Sequence, residues 1–110
     1  MISALRNVPK NAQEWAIWSF AHRADTDEIV QAIAAQGGPR LPQYQLDPIP
    51  FFDVKNWLAR EQQTHNGFTG ALAQQGTDLQ DVDFNDPKQL EAWIWLEVKQ
   101  HEDARALLKI

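Results

Sequence analysis

Two stretches of the chain carry side chains that could do chemistry, at a matching spacing. Residues 57–65 read WLAREQQTH and residues 93–101 read WIWLEVKQH. Each is a tryptophan, then a glutamate four residues on, then a histidine four further. Positions four apart share one face of an α-helix. Glu61 and His65 therefore fall between Trp57 and Phe68 on one stripe, and Glu97 and His101 between Trp93 and Leu108. A third histidine, His22, falls between Trp18 and Ile29. Imidazole and carboxylate suit zinc, iron or manganese, and helix bundles hold such sites in their cores. They also suit something plainer. An ionised carboxylate in a dry core costs several kcal/mol unless it is paired. His22, Glu61, His65, Glu97 and His101 could thus form a buried polar layer of His–Glu hydrogen bonds that fixes helix register. They could also lie on wet stripe edges.

The spacing favours the polar layer. Di-iron bundles place Glu and His three apart rather than four, and no HExxH occurs. No cofactor and no metal is expected, and these five residues are the candidate ligands should one bind. Other chemistry finds less support. Asp78, Asp81, Asp83, Asn85 and Asp86 crowd one stretch. Counted as a calcium loop from Asp81, the sixth position is Asp86 rather than glycine and the twelfth is Ala92 rather than glutamate. Asx-turns and a helix cap account for most of these acids. Ser3 and Ser19 have no nucleophile motif around them, and there is no phosphate-binding glycine loop. The chain is not expected to be an enzyme.

The elements that must position these residues follow from periodicity and punctuation. An N-terminal arm covers residues 1–10. Asn11 with Glu14 forms a capping-box pattern, and Trp15, Trp18, Ile29 and Ile33 share a face, which predicts a helix over 11–35 closed by Gly37 and Gly38. Four of the six prolines lie between positions 39 and 50. Proline removes a backbone donor, so residues 37–50 are expected to be an extended strap. Its Leu41, Tyr44, Leu46 and Ile49 are available to pack across the bundle or on a neighbour. A second helix is expected over 53–73, capped by Asp53, with Val54, Trp57, Leu58, Phe68 and Leu72 as its stripe and Gly67 and Gly70 weakening its end. An acidic loop covers 74–86. Asp86, Pro87 and Gln89 are a helix start, and the third helix runs over 87–108 with Leu90, Trp93, Ile94, Ala104 and Leu108 inward. The fold class is all-α: one domain of three helices, up-down-up, with a proline-rich crossing segment between the first and second. That arrangement would bring the three histidines to one level. A weak internal echo aligns Trp57, Glu61, His65 and Leu72 with Trp93, Glu97, His101 and Leu108.

Composition narrows the partners. The chain has 110 residues, net charge -5 and no cysteine. Disulfides and thiolate metal sites are excluded. No basic stripe invites nucleic acid. No apolar run is long enough to cross a membrane, and the first ten residues do not read as a secretion signal. Ile2, Leu5 and Val8 of the arm, the strap residues, and Phe20 and Trp95, which leave the main stripes, are surplus to a three-helix core. Aromatic rings of this kind concentrate at protein interfaces.

WSFAH, LPQYQLDPIP, W-x7-HN, DLQDVDFND and W-x7-H, with LLKI at the end, follow in that order along nearly the whole chain. In this order the chain resembles small structural or assembly proteins of tailed bacteriophages. The resemblance implies a virion component made in the host cytoplasm, acting through contacts with other virion proteins (of head, neck, tail or fibre) in many copies. It assigns no functional residues. Two further readings stand beside it: a His/Glu metal-binding bundle, and a small phage-encoded protein that binds a host target.

Overall fold

The computed structural model describes residues 2–41, 54–74, 82, 83 and 85–110, and their side chains except those of residues 2, 54–59 and 61. The described residues are all-helical. A 3-10 turn spans Ile2–Arg6, followed by α1 (Ala12–Ala35), α2 (Val54–Ala71) and α3 (Pro87–Leu108). Most of the proline-rich strap, with Tyr44, Leu46 and Ile49, lies outside the described residues, as do Asp53, Asp78 and Asp81.

Local chemistry explains where the helices begin and end. Asn11 Oδ1 accepts from the Glu14 backbone N–H at 2.8 Å, and Asn11 Nδ2 donates to Glu14 Oε2 at 2.6 Å. One otherwise unpartnered backbone N–H at the start of α1 is satisfied in this way, and the second bond holds the capping side chain in place. At the other end, Gly38 N–H reaches Ile33 O at 2.8 Å and Gly37 N–H reaches Ala34 O at 3.2 Å. That is a Schellman closure, and Gly37 supplies its left-handed residue at φ 88°. Gly38 is needed for a different reason. A Cβ there would sit 2.6 Å from Ile33 Cγ2 and 2.9 Å from Ile33 O. α2 closes with the same hydrogen-bond pattern, Gln74 N–H to Thr69 O at 2.7 Å and Ala73 N–H to Gly70 O at 3.1 Å. Its left-handed residue is Ala73, at φ 56°. α3 starts on Asp86, whose Oδ1 accepts from Lys88 N–H at 3.0 Å, with Pro87 as the first helical residue. Asp83 Oδ1 accepts from Asn85 N–H at 2.9 Å, so this part of the acidic loop is spent on turn formation.

α1 and α3 run parallel. Trp18 meets Trp93, His22 meets Glu97, Asp25 meets Arg105, and Gln36 Nε2 donates to Leu108 O at 2.6 Å. The apolar core is split in two along this pair. One cluster, near the N-terminal ends of α1 and α3, contains Leu5, Ala16, Trp18, Trp93, Ile94 and Val98. The other contains Ile29, Val30, Ile33, Phe68, Ala104 and Leu108. The stretch between them is polar and equally dry.

The arm departs from expectation. Leu5 is fully buried and Val8 half-buried, both packed in the first cluster. The 3-10 turn folds back far enough for Trp18 Nε1–H to donate to Leu5 O at 3.0 Å, and Arg6 pairs with Glu102 on α3. Leu5 is therefore a core residue of this chain rather than surface kept for a neighbour, and Val8 packs half-buried against the same cluster. A short apolar segment gains more by covering the exposed end of the tryptophan cluster than by remaining in water. The side chain of Ile2 lies outside the description. Leu41 is half-buried over α2, where a Cβ on Gly67 would stand 3.8 Å from Leu41 Cδ2. Phe20 and Trp95 do face solvent, at 57% and 45% exposure.

Candidate metal centre

The three histidines reach the dry middle from three different helices. His22 comes from α1, His65 from α2, and Glu97 and His101 from α3. All four are completely buried. One ligating atom from each can be chosen so that all four lie within 4.8 Å of one another. Glu97 sits at the centre. Its Oε2 is 2.8 Å from His22 Nε2 and 2.7 Å from His65 Nε2. Its Oε1 accepts from Gln62 Nε2 at 3.2 Å. The His65 contact is short, yet His65 Nε2 makes no hydrogen bond of acceptable geometry there. It is a buried ring nitrogen at ion-pair distance with its hydrogen bond misaimed, which is costly for a purely hydrogen-bonded layer.

Aromatic rings wall the cluster on both sides. Trp18 stacks on His22, with centroids 4.9 Å apart, and His22 stacks on His65 at 5.2 Å. Phe68 meets His65 and His101 edge-on at 4.5 and 5.3 Å. This packing fixes ring orientation as well as position.

A second set of polar residues holds the first. His101 Nδ1 stands 2.6 Å from Asp25 Oδ2, and Asp25 is itself fully buried. Arg105 Nη1 donates to Asp25 Oδ1 at 2.8 Å and to Glu28 Oε2 at 2.7 Å, linking this carboxylate to the surface. With Nδ1–H donated to Asp25, His101 keeps an unprotonated Nε2, and Thr26 Oγ1 lies 3.5 Å from it. A carboxylate behind a histidine is the arrangement that orients imidazole ligands and raises their basicity. His65 Nδ1 lies 3.2 Å from Gln62 Nε2.

The electrostatics agree with this geometry. Burial pushes the His101 imidazole from 6.5 down to about 3, with the nearby His22 and His65 adding to the fall against the pull of Asp25. Its ring is neutral at pH 7. Burial alone would raise Glu97, but His65 and His22 outweigh it and hold the carboxyl well below 4.5. Burial likewise opposes ionisation of Asp25. The hydrogen bond from His101, then the charges of His101 and Arg105, bring it below 3.8. The centre thus offers a neutral His101 imidazole and an ionised Glu97 carboxylate, the protonation states that metal ions require of these ligands.

Three nitrogens and one oxygen match a four-coordinate zinc-type site. At bond lengths of roughly 2.0–2.1 Å, tetrahedral ligand atoms stand roughly 3.3–3.4 Å apart. The separations here run from 2.7 Å to at most 4.8 Å and bracket that value.

Of the five residues singled out from the sequence, the structure brings together His22, His65, Glu97 and His101. The side chain of Glu61 lies outside the description. The spacing argument missed Asp25, Gln62 and Arg105. Their signal was present: Asp25 is three residues after His22, Gln62 three before His65 and Arg105 four after His101, each within one helical turn of a ligand. No protein-family model matches the chain, and the searches of curated proteins and of solved structures likewise find no match.

Proposed function

We propose that this chain is a metal-binding helical bundle in which His22, His65, Glu97 and His101 hold one divalent transition-metal ion, zinc being the best fit. One observation carries the reading: four buried ligand atoms from three helices converge within 4.8 Å. Four protein ligands with no exposed member suit a structural ion rather than a catalytic one, which keeps an open position. The role is therefore to fix the fold, and no reaction is assigned. Isothermal titration of zinc into chelator-treated protein tests it. One equivalent should bind and raise the melting temperature. A flat titration with an unchanged melting temperature would remove the reading.

A second reading concerns what the bundle is for. Phe20 and Trp95, together with Ile17 and Leu96, leave large apolar side chains in water. Such surface supports action by protein contact, and the resemblance to phage assembly proteins supplies the context: a virion component present in many copies. Mass spectrometry of purified particles checks it. The chain should appear in stoichiometric amount. Its absence, with one host protein co-purifying, would instead favour a factor aimed at the host.

A further inference from the structure

Resting on the metal reading above, we infer that the ion acts as a staple for one helix: its occupancy decides whether α2 is docked on the α1–α3 pair.

The two kinds of contact in the core suggest this division. α1, α3 and the N-terminal turn share an apolar cluster to which no described α2 residue contributes. They are also joined by the Asp25–His101 and Asp25–Arg105 contacts and the Arg6–Glu102 pair. That unit is held by tryptophan packing and by ion pairs to which no described α2 side chain contributes. The described buried residues of α2 are Gln62, Thr64, His65, Phe68 and Thr69. Only Phe68 is apolar, with half-buried Leu72 beside it. Toward α3, α2 directs Gln62 and His65 to Glu97, and His65 and Phe68 to His101. Gln74, just past the helix end, donates to Gln100 O at 3.2 Å. Most of these contacts are made to the two α3 ligands themselves.

The described part of this interface is mostly polar. Pairing a buried carboxylate with imidazoles recovers little beyond the cost of drying both, and the misaimed His65 Nε2 recovers less. An ion changes the balance, because whatever binds only the docked state stabilises that state in proportion to its affinity. His65 is the described α2 side chain in the ligand set. Coordination through that one imidazole ties α2 to His22 on α1 and to Glu97 and His101 on α3.

Hydrogen exchange with mass spectrometry on the full chain, zinc-loaded against chelator-treated, tests the staple. Removing zinc should speed exchange across 54–71 by at least about tenfold while 12–35 and 87–108 change by less than about threefold, since helices can open as separate units. In His65→Gln, exchange over 54–71 should be fast and indifferent to zinc. Zinc binding with unchanged protection in α2 would overturn the staple and leave the metal site standing. Equal loss of protection in all three helices would also overturn it, because the ion would then fold the whole bundle. No zinc binding at all would remove the underlying metal reading, and the staple with it.

Discussion

Asp25 and His101 form a buried carboxylate–imidazole pair, Oδ2 to Nδ1 at 2.6 Å, which leaves Nε2 as the unprotonated ring nitrogen of His101. The pair crosses from α1 to α3 and does two things at once. It satisfies two groups that would be expensive to leave alone in a dry core, and it selects the tautomer whose Nε2 can accept a metal ion.

The first prediction follows from that pair. Asp25→Asn keeps the shape but removes the charge and the preference for the Nδ1–H tautomer. Outer-shell changes of this kind cost about 10–100-fold in metal affinity. Competition against a fluorescent zinc chelator should show a loss of that size with one-to-one stoichiometry retained. Unchanged affinity would mean that Asp25 serves packing alone.

Removing a histidine tests the polar layer with no metal present. His65→Leu takes away one partner of Glu97, which keeps His22 and Gln62, and His101→Leu takes away one partner of Asp25, which keeps Arg105. Each leaves a buried carboxylate short of a partner, for which a loss toward the lower end of about 3–5 kcal/mol is expected. Urea unfolding of the chelator-treated proteins measures it. Neutral or stabilising results for both would show that these groups reach water in solution.

Acid should unfold the metal-free chain early. The unfolded chain takes up a proton on His101 near pH 6.5, and the folded chain not until about 3. Between those values the unfolded state binds more protons, so stability falls as pH falls. Above pH 6.5 the contribution is fully present. Glu97, held well below 4.5, adds a further loss in the same direction below that pH. Urea midpoints at pH 7.5, 6 and 5 should decline in order, and saturating zinc should move the decline to lower pH because protons and metal compete for the same nitrogens. A midpoint independent of pH over this range would contradict a dry, neutral His101.

Ala73 gives a prediction free of the metal. Its left-handed conformation at φ 56° disfavours a residue with a Cβ by about 1–2 kcal/mol, part of which glycine returns through its looser unfolded state. Ala73→Gly should therefore stabilise by up to about 1 kcal/mol. A loss of stability would argue that the α2 closure is not populated in solution.

The helices were the most legible part of the sequence. Asn11 with Glu14, Gly37 and Asp86 with Pro87 act locally, through hydrogen bonds and φ values that need no tertiary context, so their positions follow from residue type. The mid-level histidines were legible for a related reason: a helical stripe interrupted by His22, by His65 and by Glu97 with His101 places those groups inside or at its edge, and the structure places them inside. What periodicity could not supply was the relation between helices. The di-iron spacing rule concerns two ligands on one helix, whereas this site draws its nitrogens from α1, α2 and α3. Asp25 was passed over because a lone aspartate in a charged stretch reads as surface, and only packing against α3 puts it behind His101. Leu5 was misjudged because a 3-10 turn of five residues has no periodicity to reveal its folding back.

The central claim, that three imidazoles and one carboxylate share a single ion, is tested most directly by X-ray absorption at the zinc edge of the loaded protein. The account predicts four light-atom ligands at about 2.0–2.1 Å, with the outer-shell signature of three imidazoles, and loss of one imidazole in His101→Ala. A spectrum of five or six oxygen-dominated ligands, or one unaltered by that substitution, would place the ion elsewhere and contradict it.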